Sequence, residues 1–105
     1  MSRVAYVNGA YVPLRGAGIS IMDRGFQFAD SIYEVWAVRG GRMFDVDEHM
    51  ARLQRSLAEL RITPPMSAGS LMAVIRETMR RNRVRDGIVY VQISRGAANR
   101  DHVFP

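Results

Sequence analysis

The sequence predicts an α+β domain, a mostly antiparallel sheet with two helices packed against it, on three observations. Two glycine turns, Asn8-Gly9 and Gly40-Gly41, each stand between short runs that read as strands. Val46, Met50, Leu53, Leu57 and Leu60 recur at helical steps, and Leu71, Val74, Ile75 and Met79 (or Thr78) do so again. Ile88 to Ser94 is β-branched and alternating, which argues a further strand.

Length and composition set the outer bounds. At 105 residues the chain holds one compact domain, and 48% hydrophobic content is enough to build a core. No apolar run is long enough for a membrane-spanning helix, and Met1 is not followed by a signal-peptide pattern. The absence of cysteine excludes disulfides and thiolate metal sites and fits a cytoplasmic protein. The net charge of +5 raises a nucleic-acid reading. All fifteen basic residues are arginine, and five of them lie between Arg76 and Arg85. No nucleic-acid motif accompanies them, and cations suit the end of a helix, so they read as a solvated face. Neither a nucleic-acid nor a membrane partner is expected.

In chain order, Val4 to Asn8 and Tyr11 to Pro13 form a hairpin. Leu14 to Ser20 is a loop leading to a short strand near Ile19 to Ile21. Asp23-Arg24-Gly25 is a turn, with Arg24 expected to pair with Asp23 or Asp30. Phe26 and Phe28 alternate and are expected in the core. In the next strand Tyr33, Val35 and Ala37 share one face, and Glu34, Trp36 and Val38 share the other. Asp45 to Glu48 has the spacing of a capping box that opens the first helix. His49 and Arg52, three apart, lie together beside the apolar stripe. A phenol from the strand and a guanidinium from the helix can therefore converge on one ligand. His49 has no second metal ligand at useful spacing and reads as structural. Thr63-Pro64-Pro65 ends the helix, Ser67 or Ser70 caps the second one, and Asp86-Gly87 closes it.

Two stretches carry a resemblance. R-G-F-x-F-x-D-S-x-Y-E-V from Arg24, followed by E-H-M-x-R-L-x-x-S from Glu48, resembles the start of a class IV aminotransferase. This family has the type IV pyridoxal-phosphate fold and includes D-amino-acid and branched-chain transaminases and aminodeoxychorismate lyase. Y-V-Q-I-S-R-G from Tyr90, then R-x-H-x-F-P from Arg100, resembles the D-amino-acid transaminases in particular. The resemblance covers essentially the whole chain, but only the smaller, N-terminal domain of the family.

The resemblance implies pyridoxal 5'-phosphate as cofactor, with Arg52 on its phosphate. It implies Tyr33, Arg100 and His102 as a trap for the substrate carboxylate, the last two reaching across a homodimer interface. The implied reaction is D-alanine plus 2-oxoglutarate to pyruvate plus D-glutamate. A branched-chain transaminase or aminodeoxychorismate lyase is the alternative within the family, and a basic nucleic-acid-binding domain is the alternative outside it. No catalytic residue is found in the chain, because the family's Schiff-base lysine has no counterpart among residues that include no lysine at all. Residues 1–105 are thus expected to be the N-terminal domain of a longer enzyme, inactive alone, with the lysine in a C-terminal domain.

Overall fold

Alternation and turn chemistry set out the strands in the computed structural model, which describes residues 3–98. β1 (Val4–Val7) and β2 (Ala10–Pro13) form a two-stranded antiparallel hairpin across Asn8 and Gly9. A short helix, α1 (Arg24–Phe28), precedes the nine-residue β3 (Ser31–Arg39). Gly40 and Gly41, with φ of 58° and 77°, turn β3 into β4 (Arg42–Met43). Two successive left-handed residues are what a tight hairpin of this twist requires, and glycine adopts them without a Cβ clash. Helices α2 (Val46–Leu60) and α3 (Ala68–Arg81) follow, and β5 (Gly87–Ser94) returns along β3. The second sheet has the order β4-β3-β5, all antiparallel, in register from Ser31↔Ser94 to Val38↔Gly87.

The helices cover one face of this sheet. Ile32, Trp36 and Ile93 meet Met50, Leu53 and Leu57 of α2 and Leu71 and Ile75 of α3 in one buried cluster. Trp36 is fully buried, and its indole Nε1–H donates to the Val46 carbonyl at 3.4 Å. Ser67 caps α3 by accepting from the Ser70 N–H at 3.1 Å. On the outer side of α3, Arg80 and Arg81 both pair with Glu77 at 2.7 Å, and Arg81 also lies over the Tyr11 ring. That end of the arginine cluster is an ion-paired helix surface, in accord with the solvated face expected there.

Four local expectations are corrected. Ile19 to Ile21 is no strand: Ser20 O and Oγ accept from the N–H groups of Asp23 and Met22, closing a turn that leaves Ile19 and Ile21 exposed. Asp23 is a helix N-cap rather than part of a free turn, its carboxylate accepting from the Gly25 N–H at 2.7 Å. Phe26 is consequently 67% exposed, because in a helix it does not share a face with buried Arg24. The capping box at α2 does not form, since Asp45 is left-handed (φ 54°) and makes no side-chain cap bond. A side-chain N-cap needs an extended backbone at that residue.

Gly25 sits where the chain leaves β5. A Cβ there would lie 2.8 Å from Ser94 Cβ and 2.9 Å from Asp23 Oδ1, with Ser31 Cβ at 3.3 Å. Gly69, on the first turn of α3, has open space around it. Gly25→Ala should lower stability by about 1–3 kcal/mol through overpacking, while Gly69→Ala should be neutral or slightly stabilising. Urea unfolding midpoints of the two variants check this, and equal midpoints would contradict the close approach.

Candidate active site

Glu34 has the least ordinary environment on β3. Alternation places its carboxylate on the helix-covered face between Ile32 and Trp36, where it is 3% exposed. A carboxylate there must be paired. α2 supplies both partners from adjacent turns. His49 Nδ1 lies 2.6 Å from Glu34 Oε1. A carboxylate only accepts, so Nδ1 carries the proton. Arg52 donates through Nε to Oε2 at 3.0 Å and through Nη2 to Oε1 at 2.5 Å, a side-on bidentate pair. The Arg52 bonds, followed by those of His49, outweigh desolvation and hold the Glu34 pKa down at about 2. The same hydrogen bond raises that of Arg52. Arg52 thus remains cationic, and its position is fixed by the buried side of the pair while its side chain is 59% exposed.

Tyr33 projects from the opposite face of β3, where it is exposed. Its ring stacks on Tyr90 of β5, with centroids 5.6 Å apart and planes at 18°. The Tyr90 hydroxyl donates to Gln92 Oε1 at 3.1 Å, and Gln92 Nε2 donates to Ser31 Oγ at 3.1 Å. Although Tyr33 and Arg52 start on different faces, both border one depression with Glu34, Val35 and Ser56. The two faces meet there because β4 pairs only with Val38 and Arg39, which among the described residues leaves the edge of β3 beside Tyr33 without a strand. The juxtaposition of phenol and guanidinium therefore exists, reached around a strand edge.

A second cluster ties the start of β3 to the exit of β5. Asp30 Oδ2 accepts from Arg24 Nε at 2.9 Å and from Arg95 Nε at 2.7 Å. The hydrogen bond from Arg95 is the first cause of the lowered Asp30 pKa. Arg95 also donates to the carbonyls of Leu60 (2.6 Å) and Arg61 (2.9 Å), satisfying the end of α2. Asp23 Oδ2 accepts from Ser94 Oγ at 2.9 Å, and the Arg24 N–H donates to the Gly96 carbonyl at 2.9 Å. Arg24 accordingly pairs with Asp30, one of the two partners expected. Arg100 and His102 lie outside the described residues. Among the described residues no group of three or more His, Asp or Glu could hold a metal ion, and no helix is long and apolar enough to cross a membrane.

Sequence reasoning missed Glu34, Asp30 and Arg95 as organisers. One signal was available for Glu34: a charged residue on the same strand face as Trp36 and Val38 must find a cation, and His49 and Arg52 share a helix face. Ionised Glu34 stabilises the fold above its unfolded pKa near 4.5, and that contribution is lost as pH falls toward 2. The full shift would be worth about 3 kcal/mol, reduced to about 1–2 kcal/mol by screening at the exposed Arg52 end. The stability gap between wild type and Glu34→Gln should therefore be open at pH 6 and close progressively below pH 4.5. Denaturant titrations across that range check it, and a gap independent of pH would show that Glu34 is not held ionised.

Comparison with known proteins converges on one family. The amino-transferase class IV family model matches residues 31–105. The D-alanine aminotransferase of Staphylococcus haemolyticus is 36% identical over 100 residues, covering 95% of this chain and 36% of that protein. The D-alanine aminotransferase of Bacillus licheniformis is 39% identical over 97 residues, covering 92% of this chain and 34% of that protein. Among solved structures, a T.th. branched-chain amino acid aminotransferase complexed with N-(5'-phosphopyridoxyl)-L-glutamate superposes with a TM-score of 0.81 at 27% identity, over 92% of this chain and 34% of that one. The 4-amino-4-deoxychorismate lyase of Pseudomonas aeruginosa does so at 0.67 and 28% identity, over 83% of this chain and 31% of that one. The chain spans about a third of the length of the relatives it matches. With the α+β fold and the match over residues 31–105 in hand, the chain belongs to the class IV aminotransferase family.

Proposed function

We propose that this chain is the N-terminal domain of a pyridoxal-phosphate transaminase acting on D-amino acids. Its reaction would convert D-alanine and 2-oxoglutarate to pyruvate and D-glutamate. The observation that carries the reading is the convergence of Tyr33 and Arg52 on one depression. The D-amino-acid specificity is supported by the 36% and 39% identity to two D-alanine aminotransferases. A branched-chain transaminase is the second reading, favoured by the superposition on the branched-chain enzyme at 27% identity.

The donor set fits a phosphate group. A guanidinium has five N–H donors, and Glu34 occupies those of the Nε–Nη2 edge. The remaining edge of Arg52 is a planar fork of the kind that binds phosphate bidentately. Glu34 and His49 fix the rotamer of a side chain that would otherwise sweep through solvent, so less entropy is lost when the anion binds. Tyr33, held by its stack on Tyr90, would donate its hydroxyl to the substrate carboxylate, with Arg100 and His102 supplying further donors, in a homodimer from the partner subunit. Bound pyridoxal phosphate supplies the electron sink on which an amino group leaves one acid and joins another.

The same chain has no lysine, and so no side-chain amine for proton transfer. An arginine stays protonated at any working pH and cannot replace a lysine, and all fifteen basic residues are arginine. The division of labour proposed here gives these residues binding and orientation, and gives the amine to a second domain. The purified 105-residue chain should accordingly release no pyruvate from D-alanine above a cofactor-only control.

In the full-length enzyme, Arg52→Ala should weaken cofactor binding about a hundredfold, the loss of a charge-assisted contact worth roughly 2–3 kcal/mol. Titration of the apo-enzyme with pyridoxal phosphate checks this, and an unchanged Kd would remove Arg52 from the cofactor site. Arg100→Ala and His102→Ala should each raise KM for D-alanine strongly, because they remove carboxylate binding in ground and transition state together. Wild-type preference for L-leucine over D-alanine would favour the branched-chain reading instead.

A further inference from the structure

Ser56 closes the E-H-M-x-R-L-x-x-S stretch and stands on α2 four residues after Arg52. Residues so spaced are neighbours on a helix surface, with Cβ atoms about 5–6 Å apart. Helical side chains lean toward the N-terminus, so Ser56 leans over the turn that carries Arg52. It is half-buried there, next to the buried Leu53 and Leu57. Ser56 and Arg52 both line the depression beside Tyr33, whose volume is about 440 Å³. That is the size of a small-ligand site.

A serine is out of place in this part of α2. From Met50 to Leu60 every other residue is a strong helix former. Serine is a weaker one, because its hydroxyl competes for backbone groups. Inside a helix that hydroxyl commonly bonds back to the carbonyl four residues earlier. Thr78 of α3 does so, donating to the Val74 carbonyl at 2.7 Å. Ser56 Oγ makes no such bond, and no other hydrogen bond among the described residues. Its O–H is therefore available to donate into the depression that Arg52 borders.

The shape of the anion decides what such a donor adds. A planar carboxylate spends both of its oxygens on an arginine fork. A phosphate monoester has a third terminal oxygen, which lies out of the plane of that fork. Glu34 cannot serve it, since a carboxylate only accepts and both its oxygens are engaged by His49 and Arg52. We propose that Ser56 is a second ligand of the cofactor phosphate, donating to this third oxygen while Arg52 holds the other two. The pair then selects a tetrahedral phosphate over a carboxylate. A hydroxyl is neutral, so it does this without disturbing the charge balance among Glu34, His49 and Arg52. The assignment rests on the reading of Arg52 as the phosphate ligand given above.

Titration of the full-length apo-enzyme with pyridoxal phosphate, and with pyridoxal as the probe that lacks the phosphate, tests the proposal. Ser56→Ala should raise the Kd of pyridoxal phosphate about tenfold, the loss of one hydrogen bond to a charged group, and leave that of pyridoxal unchanged. Ser56→Thr keeps the hydroxyl and should stay within about threefold of wild type. The urea midpoint of apo Ser56→Ala should be equal to or above that of wild type, since alanine is the better helix former. Three results would overturn the proposal: an unchanged Kd in Ser56→Ala, an equal loss for both probes, or a threonine variant as weak as the alanine one. Arg52→Ala, titrated alongside, separates the two assignments. A raised Kd there with an unchanged one in Ser56→Ala removes Ser56 alone, whereas unchanged values in both remove the phosphate site itself.

Discussion

A buried carboxylate constrains much of this domain. Glu34 is the one charged side chain on the helix-facing side of β3, and leaving it unpaired there would cost several kcal/mol. His49 and Arg52 remove that cost only if α2 crosses the sheet at one height and one rotation. A shift of α2 by a single residue would turn both partners about 100° away and leave the carboxylate alone. The apolar stripe of Met50, Leu53 and Leu57 supplies the driving force for docking α2, and the ionic contact selects among the ways such a stripe could dock. The by-product of that selection is a cation held at the rim of the sheet, beside Tyr33.

The second carboxylate cluster has the complementary task. Asp30 and Asp23 gather Arg24, Arg95, Ser94 and the Gly25 N–H, so the chain entering β3 and the chain leaving β5 are held as one unit. Arg95 joins the end of α2 to that unit through the Leu60 and Arg61 carbonyls. The arginine-glycine pair at the head of the family-like motif therefore has a physical reason: the arginine satisfies a buried acid, and the glycine admits Ser94. Both clusters brace elements that border the proposed site, one at its helix and one at its strand exits.

What was legible in the sequence divides along the range of the interactions. Gly40-Gly41 and the stripe from Val46 to Leu60 are local signals, and the structure has a hairpin and a helix there. The split of Tyr33 from Glu34 followed from alternation alone. Glu34 with Arg52 is a contact over 18 residues and Asp30 with Arg95 one over 65, and such partners depend on how helices dock, which no periodicity encodes. Two misreadings were local. Phe26 and Phe28 alternate as a strand would, yet Asp23 caps a helix across them. Asp45 has the composition of a cap but a left-handed backbone. The class IV family itself was visible in its motifs, because a motif packs long-range geometry into short-range spelling.

The dependence of the site on Glu34 is most directly tested by a double-mutant cycle on Glu34→Gln and Arg52→Gln, read as unfolding free energy at neutral pH and low salt. A bidentate pair with one fully desolvated member should couple by about 1–2 kcal/mol, the double variant being more stable than the sum of the single losses predicts. Additivity within about 0.5 kcal/mol would mean that the two side chains do not hold each other, and that α2 is placed by its apolar stripe alone.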